Sequence, residues 1–411
     1  MKPKKLAILF PFILFAATSM FVRSWIPMFY SSWTTLLAGC ILSVIVVPKF
    51  MRTHWFACIA VYSVIVLLNW YLGDVFFAQF SLVANEIAIF FLFSSVTFYL
   101  FDSNDRRCFY YIYYIMLIMV GIAAVGSLVV NALIPGIVRI QNSIVADGNY
   151  SDILNYYRMG MSNYLLPHGL PVLIPPLILL IKRSKGLKWL RLSSMAFLVF
   201  TAILVYLSGS TTALLLSVVA FTTFVIGDKK RGINRFPIIL AICTLPLLFI
   251  TDLVPSIISL FSSETAEVYA FHIEDMASFS ANQAEGDTSL RLSLYNIALD
   301  AFAQSPIWGG NGPVSGHSVI LDRLGTLGLI GILPFGGILY FFYQFVGKHL
   351  EVVERSYFNI SVLLGISMLL IKGIEDKEVW LMLLVVAPVV LYLSGRIESQ
   401  KTRSGNETAF H

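Results

Sequence analysis

The residues best suited to chemistry lie between Ser289 and Gly331, in the stretch SLRLSLYNIALDAFAQSPIWGGNGPVSGHSVILDRLGTLGLIG. It gathers Arg291, the run Trp308-Gly309-Gly310-Asn311-Gly312, His317 and Arg323. A guanidinium binds phosphate or pyrophosphate bidentately, so Arg291 and Arg323 are a candidate anion clamp. A neutral imidazole can take the proton of a hydroxyl or hydrogen-bond a phosphate, which suits His317. Arg323 is the most telling, because it falls about one and a half turns inside an apolar segment, where ionisable groups are costly and default to function. Each residue also has a plainer reading. His317 would be a solvated helix cap, Arg291 a solvated face or lipid-headgroup contact, and Arg323, with its neighbour Asp322, a pairing with another helix.

A second polar stretch is less pointed. Arg139 and Arg158 lie in ALIPGIVRIQNSIVADGNYSDILNYYRMGMSNY. Tyr157 and its aromatic and amide neighbours there suit sugar rings by stacking and hydrogen bonding, with an interfacial aromatic belt as the alternative. His168 precedes a Pro-rich apolar segment and reads as a packed or interfacial histidine; His272, among acidic residues, reads as solvated loop. The adjacent pairs Glu274/Asp275 and Glu375/Asp376 diverge on a helix and make poor two-carboxylate sites. The sequence shows no Asp-x-Asp pair, HExxH, GxSxG, Walker glycine loop or Cys/His metal cluster. This argues against a metal-dependent sugar-nucleotide transferase, a protease or an ATPase, and the expectation is of no metal and no cofactor. Cys40, Cys58, Cys108 and Cys243 fall in or beside apolar segments without metal or disulfide spacing and read as packing residues.

The elements that must position these residues are membrane helices. Of 411 residues, 58% are hydrophobic and 12% charged, with a mean hydropathy of +0.81. A soluble domain carries about a quarter charged residues, and this much apolar surface suits a bilayer, which requires spans of about 20 apolar residues. Hydropathy gives about twelve spans, at 6–22, 34–47, 55–72, 86–101, 109–131, 165–181, 189–207, 211–227, 236–251, 318–343, 357–373 and 379–394. They are too long and continuous for barrel strands. The fold class is therefore all-α, a polytopic integral membrane protein forming a single membrane domain over 1–411. The basic head and apolar run of MKPKKLAILFPFILFAATSM fit a signal peptide in part. A clear small-x-small cleavage site is missing and more spans follow, so it reads as a retained first span.

Basic residues orient the spans. With both termini cytoplasmic, the inward loops hold Lys2/Lys4/Lys5, Lys49/Arg52, Arg106/Arg107, Lys182/Arg183/Lys185/Lys188/Arg191, Lys229/Lys230/Arg231/Arg235, Lys348/Arg355 and Arg396/Lys401/Arg403. Of the 28 Lys and Arg only Arg23, Arg139, Arg158, Arg291, Arg323, Lys372 and Lys377 face out. Two outward segments are long, at 132–164 and, between spans nine and ten, at 252–317. Within the second, Leu290, Leu294, Ile297, Ala298, Ala301 and Phe302 have helical spacing, predicting a helix over 289–304 on or near the membrane surface, ended by Pro306. Nothing in this charge distribution points to nucleic acid.

This arrangement resembles the O-antigen ligase/polymerase superfamily, whose pattern runs Arg, a helix, PxxGxG, then H(N/S)xxLxxLxxxGxxG entering the next span. The matching positions are Arg291, Pro306, Gly310, Gly312, His317, Ser318, Leu321, Leu324, Gly328 and Gly331. A second match is Leu207-Ser208-Gly209-Ser210-Thr211-Thr212-Ala213-Leu214, similar to the family's SxSRxAxL. The usual Asn after the His is Ser318 here, and Thr211 or Thr212 stands where an Arg is common, a contact that Arg158 or Arg139 would replace. The resemblance implies a metal-independent membrane glycosyltransferase at the periplasmic face of the bacterial inner membrane. Its donor and acceptor would be undecaprenyl-pyrophosphate-linked oligosaccharides, its surroundings membrane lipids, and a chain-length regulator a further partner. His317, Arg291 and Arg323 would be catalytic; Arg158, Arg139, Gly310, Gly312 and Tyr157 would bind substrate, with the Gly309–Gly312 turn offering backbone N–H groups to phosphates. The expected activity is polymerisation of O-antigen or capsule repeat units. The alternatives are a ligase transferring the glycan to lipid A–core, and a lipid-linked oligosaccharide flippase. For a flippase, the large extramembranous segment and the lack of an internal repeat are unfavourable.

Overall fold

The computed structural model describes residues 3–26, 32–72, 80–146, 150–222, 287–310, 318–371 and 377–408. Among them every regular element is helical and no strand occurs. In chain order the principal helices are α1 (Phe10–Thr18), α2 (Met20–Trp25), α3 (Ser32–Val46), α4 (His54–Leu72), α5 (Phe80–Ser103), α6 (Arg106–Leu133), α7 (Ile137–Ala146), α8 (Tyr150–Arg158), α9 (Ile174–Arg183), α10 (Lys188–Leu207), α11 (Thr211–Thr222), α12 (Asp287–Gln304), α13 (Val319–His349), α14 (Val352–Ile371) and α15 (Ala387–Thr408). A short helix Lys377–Leu381 and a π-helical turn Met382–Val386 lead directly into α15.

Among the described residues eight segments are long and apolar enough to cross a membrane, which makes this a multi-pass membrane protein. They are His54–Leu72, Val83–Ser103, Arg106–Leu133, Leu166–Gly186, Lys188–Leu207, Val319–His349, Val352–Ile371 and Lys377–Glu398. Each coincides with an expected span to within a few residues at most ends. Ala7–Thr18, Thr34–Val46 and Thr211–Thr222 are shorter apolar helices at three further expected positions. The expected span at 236–251 lies outside the described residues, as does the loop from 252 to 286. The helix predicted over 289–304 is present as α12.

The last span is the axis of the bundle. Of its most apolar stretch 94% is buried by other helices, against 22% for α4 and 33% for α13, which lie at the periphery. Its π-turn is held by the Thr97 hydroxyl of α5, which donates to the Leu384 carbonyl. The Pro-rich entry to α9 is built as successive short turns, Leu166–Gly169 and Leu170–Leu173, before the helix proper. Proline stands at the first or second position of each, where its missing N–H costs no hydrogen bond.

The two ends of the bundle differ in charge. At one end Arg183 of α9 pairs with the buried Glu354 of α14, Lys182 donates to the Tyr357 hydroxyl at 3.4 Å, and Lys49 pairs with Asp102 at 3.5 Å. There too Arg396 of α15 donates to Asn104 Oδ1 at 2.7 Å. Towards the other end lies an aromatic cluster, Tyr62 of α4, Phe90 of α5, Phe335 of α13 and Trp380, with ring centroids 4.7–6.0 Å apart. Glu86 sits one helical turn before Phe90, so this cluster floors the polar site described next.

Candidate functional site

The head of α13 is set by a reciprocal cap. Ser318 is the N-cap, its Oγ accepting the Leu321 N–H at 3.2 Å, while Asp322 Oδ2 accepts the Ser318 N–H at 3.3 Å. Both bonds satisfy donors that a helix start leaves open, and Asp322 adds negative charge where the helix dipole favours it. The next residue, Arg323, turns away from solvent. Its NH2 donates to Glu86 Oε2 on α5, in an ion pair whose side chains are 13% and 7% exposed. The other Glu86 oxygen accepts the Tyr62 hydroxyl of α4 at 2.5 Å. Arg323 therefore has the inter-helix partner that its plainer reading requires, Glu86 of α5.

Five residues further on, α13 is broken. Gly328 has φ +58° and ψ −159°, backbone that is essentially restricted to glycine. Into this break fits the turn that follows α12. Gly309, also at positive φ (+79°), brings its backbone against Thr326, where an added Cβ would meet the Thr326 carbonyl oxygen at 2.2 Å. Four of the backbone groups at the break are given partners by the turn and by α4. The N–H groups of Leu329 and Ile330 donate to the carbonyls of Pro306 and Ile307 at 2.9 and 3.1 Å. The Gly325 carbonyl accepts the Gly310 N–H at 2.8 Å, and the Thr326 carbonyl accepts Asn69 Nδ2 of α4 at 3.1 Å. Non-helical backbone at membrane depth persists only when so satisfied. The two glycine-bearing halves of the sequence stretch are thus structural partners, joined backbone to backbone. A further bond, Tyr295 hydroxyl to Ile371 carbonyl at 2.8 Å, ties α12 to the end of α14.

This joint changes what the glycines do. The Gly309 N–H donates to Ser305 O at 2.8 Å and that of Gly310 to Gly325 O, so these two N–H groups hold the chain's own turn together. Asn311, Gly312 and His317 lie outside the described residues. Arg291 falls in α12 and Arg139 in α7, with side chains outside the described residues.

The second expected group is largely engaged with the bundle. Tyr157 is buried, its hydroxyl donating to Gln141 Oε1 of α7 at 2.7 Å. Arg158, exposed at the end of α8, donates from Nε to Ser24 O at 3.2 Å and lies over the Trp25 ring at 5.8 Å. The Trp25 indole N–H returns a bond to Arg158 O at 3.3 Å. These contacts dock α8 on α2. His168 is buried, with Nε2 3.0 Å from Ser210 Oγ and its ring against Tyr164. It serves as a packed histidine that anchors the Ser208–Ser210 turn before α11.

Sequence reasoning missed Glu86, Tyr62 and Asn69. Glu86 was within reach, as an acidic residue opening an expected span at 86–101, where the rule that singled out Arg323 applies equally. A further buried carboxylate, Glu378, accepts Asn163 Nδ2 at 3.0 Å beside the last span. Among the described residues no group of three His, Cys, Asp or Glu comes together at metal-ligand spacing.

A multi-pass helical protein with an arginine at the head of a broken helix, docked to a glycine turn, is the class that fold and site define. Residues 196–336 match the family model described as O-Antigen ligase. The match runs from α10 through α12 and the glycine turn to the middle of α13, and is consistent with a member of the O-antigen ligase/polymerase superfamily. No curated protein matches the chain.

Proposed function

We propose that the protein polymerises polysaccharide repeat units, of O-antigen or capsule, at the outer face of a bacterial inner membrane. The bundle then has about twelve spans with both termini cytoplasmic. Support for this orientation is the gathering of Lys49, Lys182, Arg183 and Arg396 at the bundle end opposite the site. In the reaction, an acceptor hydroxyl on one lipid-linked repeat unit attacks the anomeric carbon of a glycan on undecaprenyl pyrophosphate. The new glycosidic bond forms as the bond to pyrophosphate oxygen breaks, the hydroxyl proton passes to His317, and undecaprenyl pyrophosphate leaves with its charge. Arg323 and Arg291 stabilise that charge as it develops, the kind of electrostatic contribution that is usually the largest in such catalysis. The donor carries its own leaving group, so neither ATP nor a metal has a part in this scheme.

The observation that carries this reading is the family match over 196–336, a stretch that includes Arg291, His317 and Arg323. The polymerase assignment rests on the outward segment 132–164, in which α8 docks on α2 and bonds α7 through Tyr157, as a second polar element for a second glycan. A ligase is the second reading, favoured by the matched model's own description. The banding of surface polysaccharide from a deletion strain distinguishes them. A polymerase deletion leaves lipid A–core capped by a single repeat unit. Bare core with polymer still held on undecaprenyl pyrophosphate means a ligase, and repeats trapped on the cytoplasmic side mean a flippase.

A further inference from the structure

We infer that Glu86, backed by Tyr62, is the positioning residue for Arg323, holding its guanidinium where the donor's pyrophosphate leaves. This rests on the proposed role of Arg323 as a contact to that pyrophosphate. Stability alone gives little reason for such a pair, since buried ion pairs replaced by well-packed apolar residues are often neutral or better. Orientation is a better reason. An arginine side chain is long and rotamer-rich, and unsupported it would swing through many positions at the head of α13. Here each link is fixed by the one beneath it. The Tyr62 ring is wedged edge-on against Phe90 at 5.8 Å and tilted against Phe335 at 5.7 Å. Its hydroxyl fixes one Glu86 oxygen at 2.5 Å, and the other oxygen takes Arg323 NH2.

The backbone under Arg323 is fixed as well. Asn69, on the same helix as Tyr62, holds the Thr326 carbonyl three residues on, and the Gly309–Gly310 turn closes the break at Gly328. Helices α4, α5 and α13 thereby form one rigid seat for a single cation. A guanidinium presents five donors in a fixed fork, so one edge can stay on a carboxylate while another meets a phosphate. A preorganised cation aimed at developing charge is what the leaving step requires, and it needs no rearrangement at the moment of reaction.

The test uses the purified full-length protein in lipid nanodiscs, with an undecaprenyl-pyrophosphate-linked repeat unit as donor and acceptor. The variants are Tyr62→Phe, Glu86→Gln, Arg323→Ala and the Glu86→Gln/Arg323→Ala pair. Rates are taken per mole of monodisperse protein, so that loss of folding is separated from loss of function. Small misplacements of a catalytic group cost up to about 10²-fold, so Glu86→Gln should lower kcat roughly 10- to 100-fold with KM changed by less than about threefold. Tyr62→Phe, which keeps the ion pair, should lower kcat about threefold or more and serves if Glu86→Gln does not fold. The double variant should be no slower than Arg323→Ala, because Glu86 acts through Arg323. Unchanged kcat in Tyr62→Phe and Glu86→Gln, or effects of Glu86 and Arg323 that multiply, overturns the inference. A wild-type protein that does not turn over the donor overturns the functional reading itself, and is told apart because no variant is then involved.

Discussion

Gly328→Ala probes the joint between the glycine turn and the broken helix. The residue sits at φ +58° and ψ −159°, and an added Cβ would stand 2.5 Å from Ile307 O and 2.6 Å from Gly309 N. Holding alanine in that backbone conformation costs about 1–3 kcal/mol. Both near atoms are backbone, so the turn must move away as a whole. Three hydrogen bonds then go, from Gly310, Leu329 and Ile330, at about 0.5–1.5 kcal/mol each. Strain and lost bonds together come to about 3–7 kcal/mol, enough to undock the turn in most molecules. The bundle core is untouched by this change, so membrane level should fall far less than activity. Hydrogen exchange read by mass spectrometry on peptides covering 306–310 and 329–330, alongside turnover, is the assay. Those amides should be protected in the wild type and exchange in Gly328→Ala, with polymer lost. Gly336→Ala is the control, since nothing lies within 4 Å of an added Cβ there and alanine favours a helix interior by about 1 kcal/mol. Protected amides and full turnover in Gly328→Ala would mean that the joint does not depend on glycine at this position.

Three further outcomes follow from the same contacts. Arg323→Ala strands Glu86 as a buried charge at a cost of about 3–5 kcal/mol, so the yield of monodisperse protein on size exclusion should fall together with activity. His317→Ala should lose about 10²-fold or more in rate if the imidazole takes the acceptor proton, with the amount in the membrane, read by immunoblot, unchanged. Arg183→Ala strands Glu354 at the opposite end of the bundle, again at about 3–5 kcal/mol. It should reduce the yield while turnover per mole of folded protein stays at the wild-type level.

Much of the architecture was legible because membrane helices are written in composition. Long apolar runs set the helices at 54–72, 106–133 and 188–207 to within a few residues, and the spacing of Leu294, Ala298 and Ala301 gave α12 with its stop before Pro306. The break in α13 was not legible. A glycine in an apolar span is ordinary, and only the approach of a second backbone shows that Gly328 and Gly309 form a joint. The partner of Arg323 was also hidden. A buried ion pair joins residues far apart in sequence, here 86 and 323, and hydropathy records a lone charge without naming its counterion. The setting of Tyr157 was hidden for a related reason, because an amphipathic ring gives the same signal in sequence whether it is open or, as here, buried with its hydroxyl on Gln141.

The most direct measurement of the central claim is turnover by the purified protein given only undecaprenyl-pyrophosphate-linked repeat units, without ATP and with chelator present. Polymerisation predicts a ladder of lengthening glycans and one undecaprenyl pyrophosphate released per unit added. No product until lipid A–core is supplied, followed by transfer to it, would contradict polymerisation and make the protein a ligase.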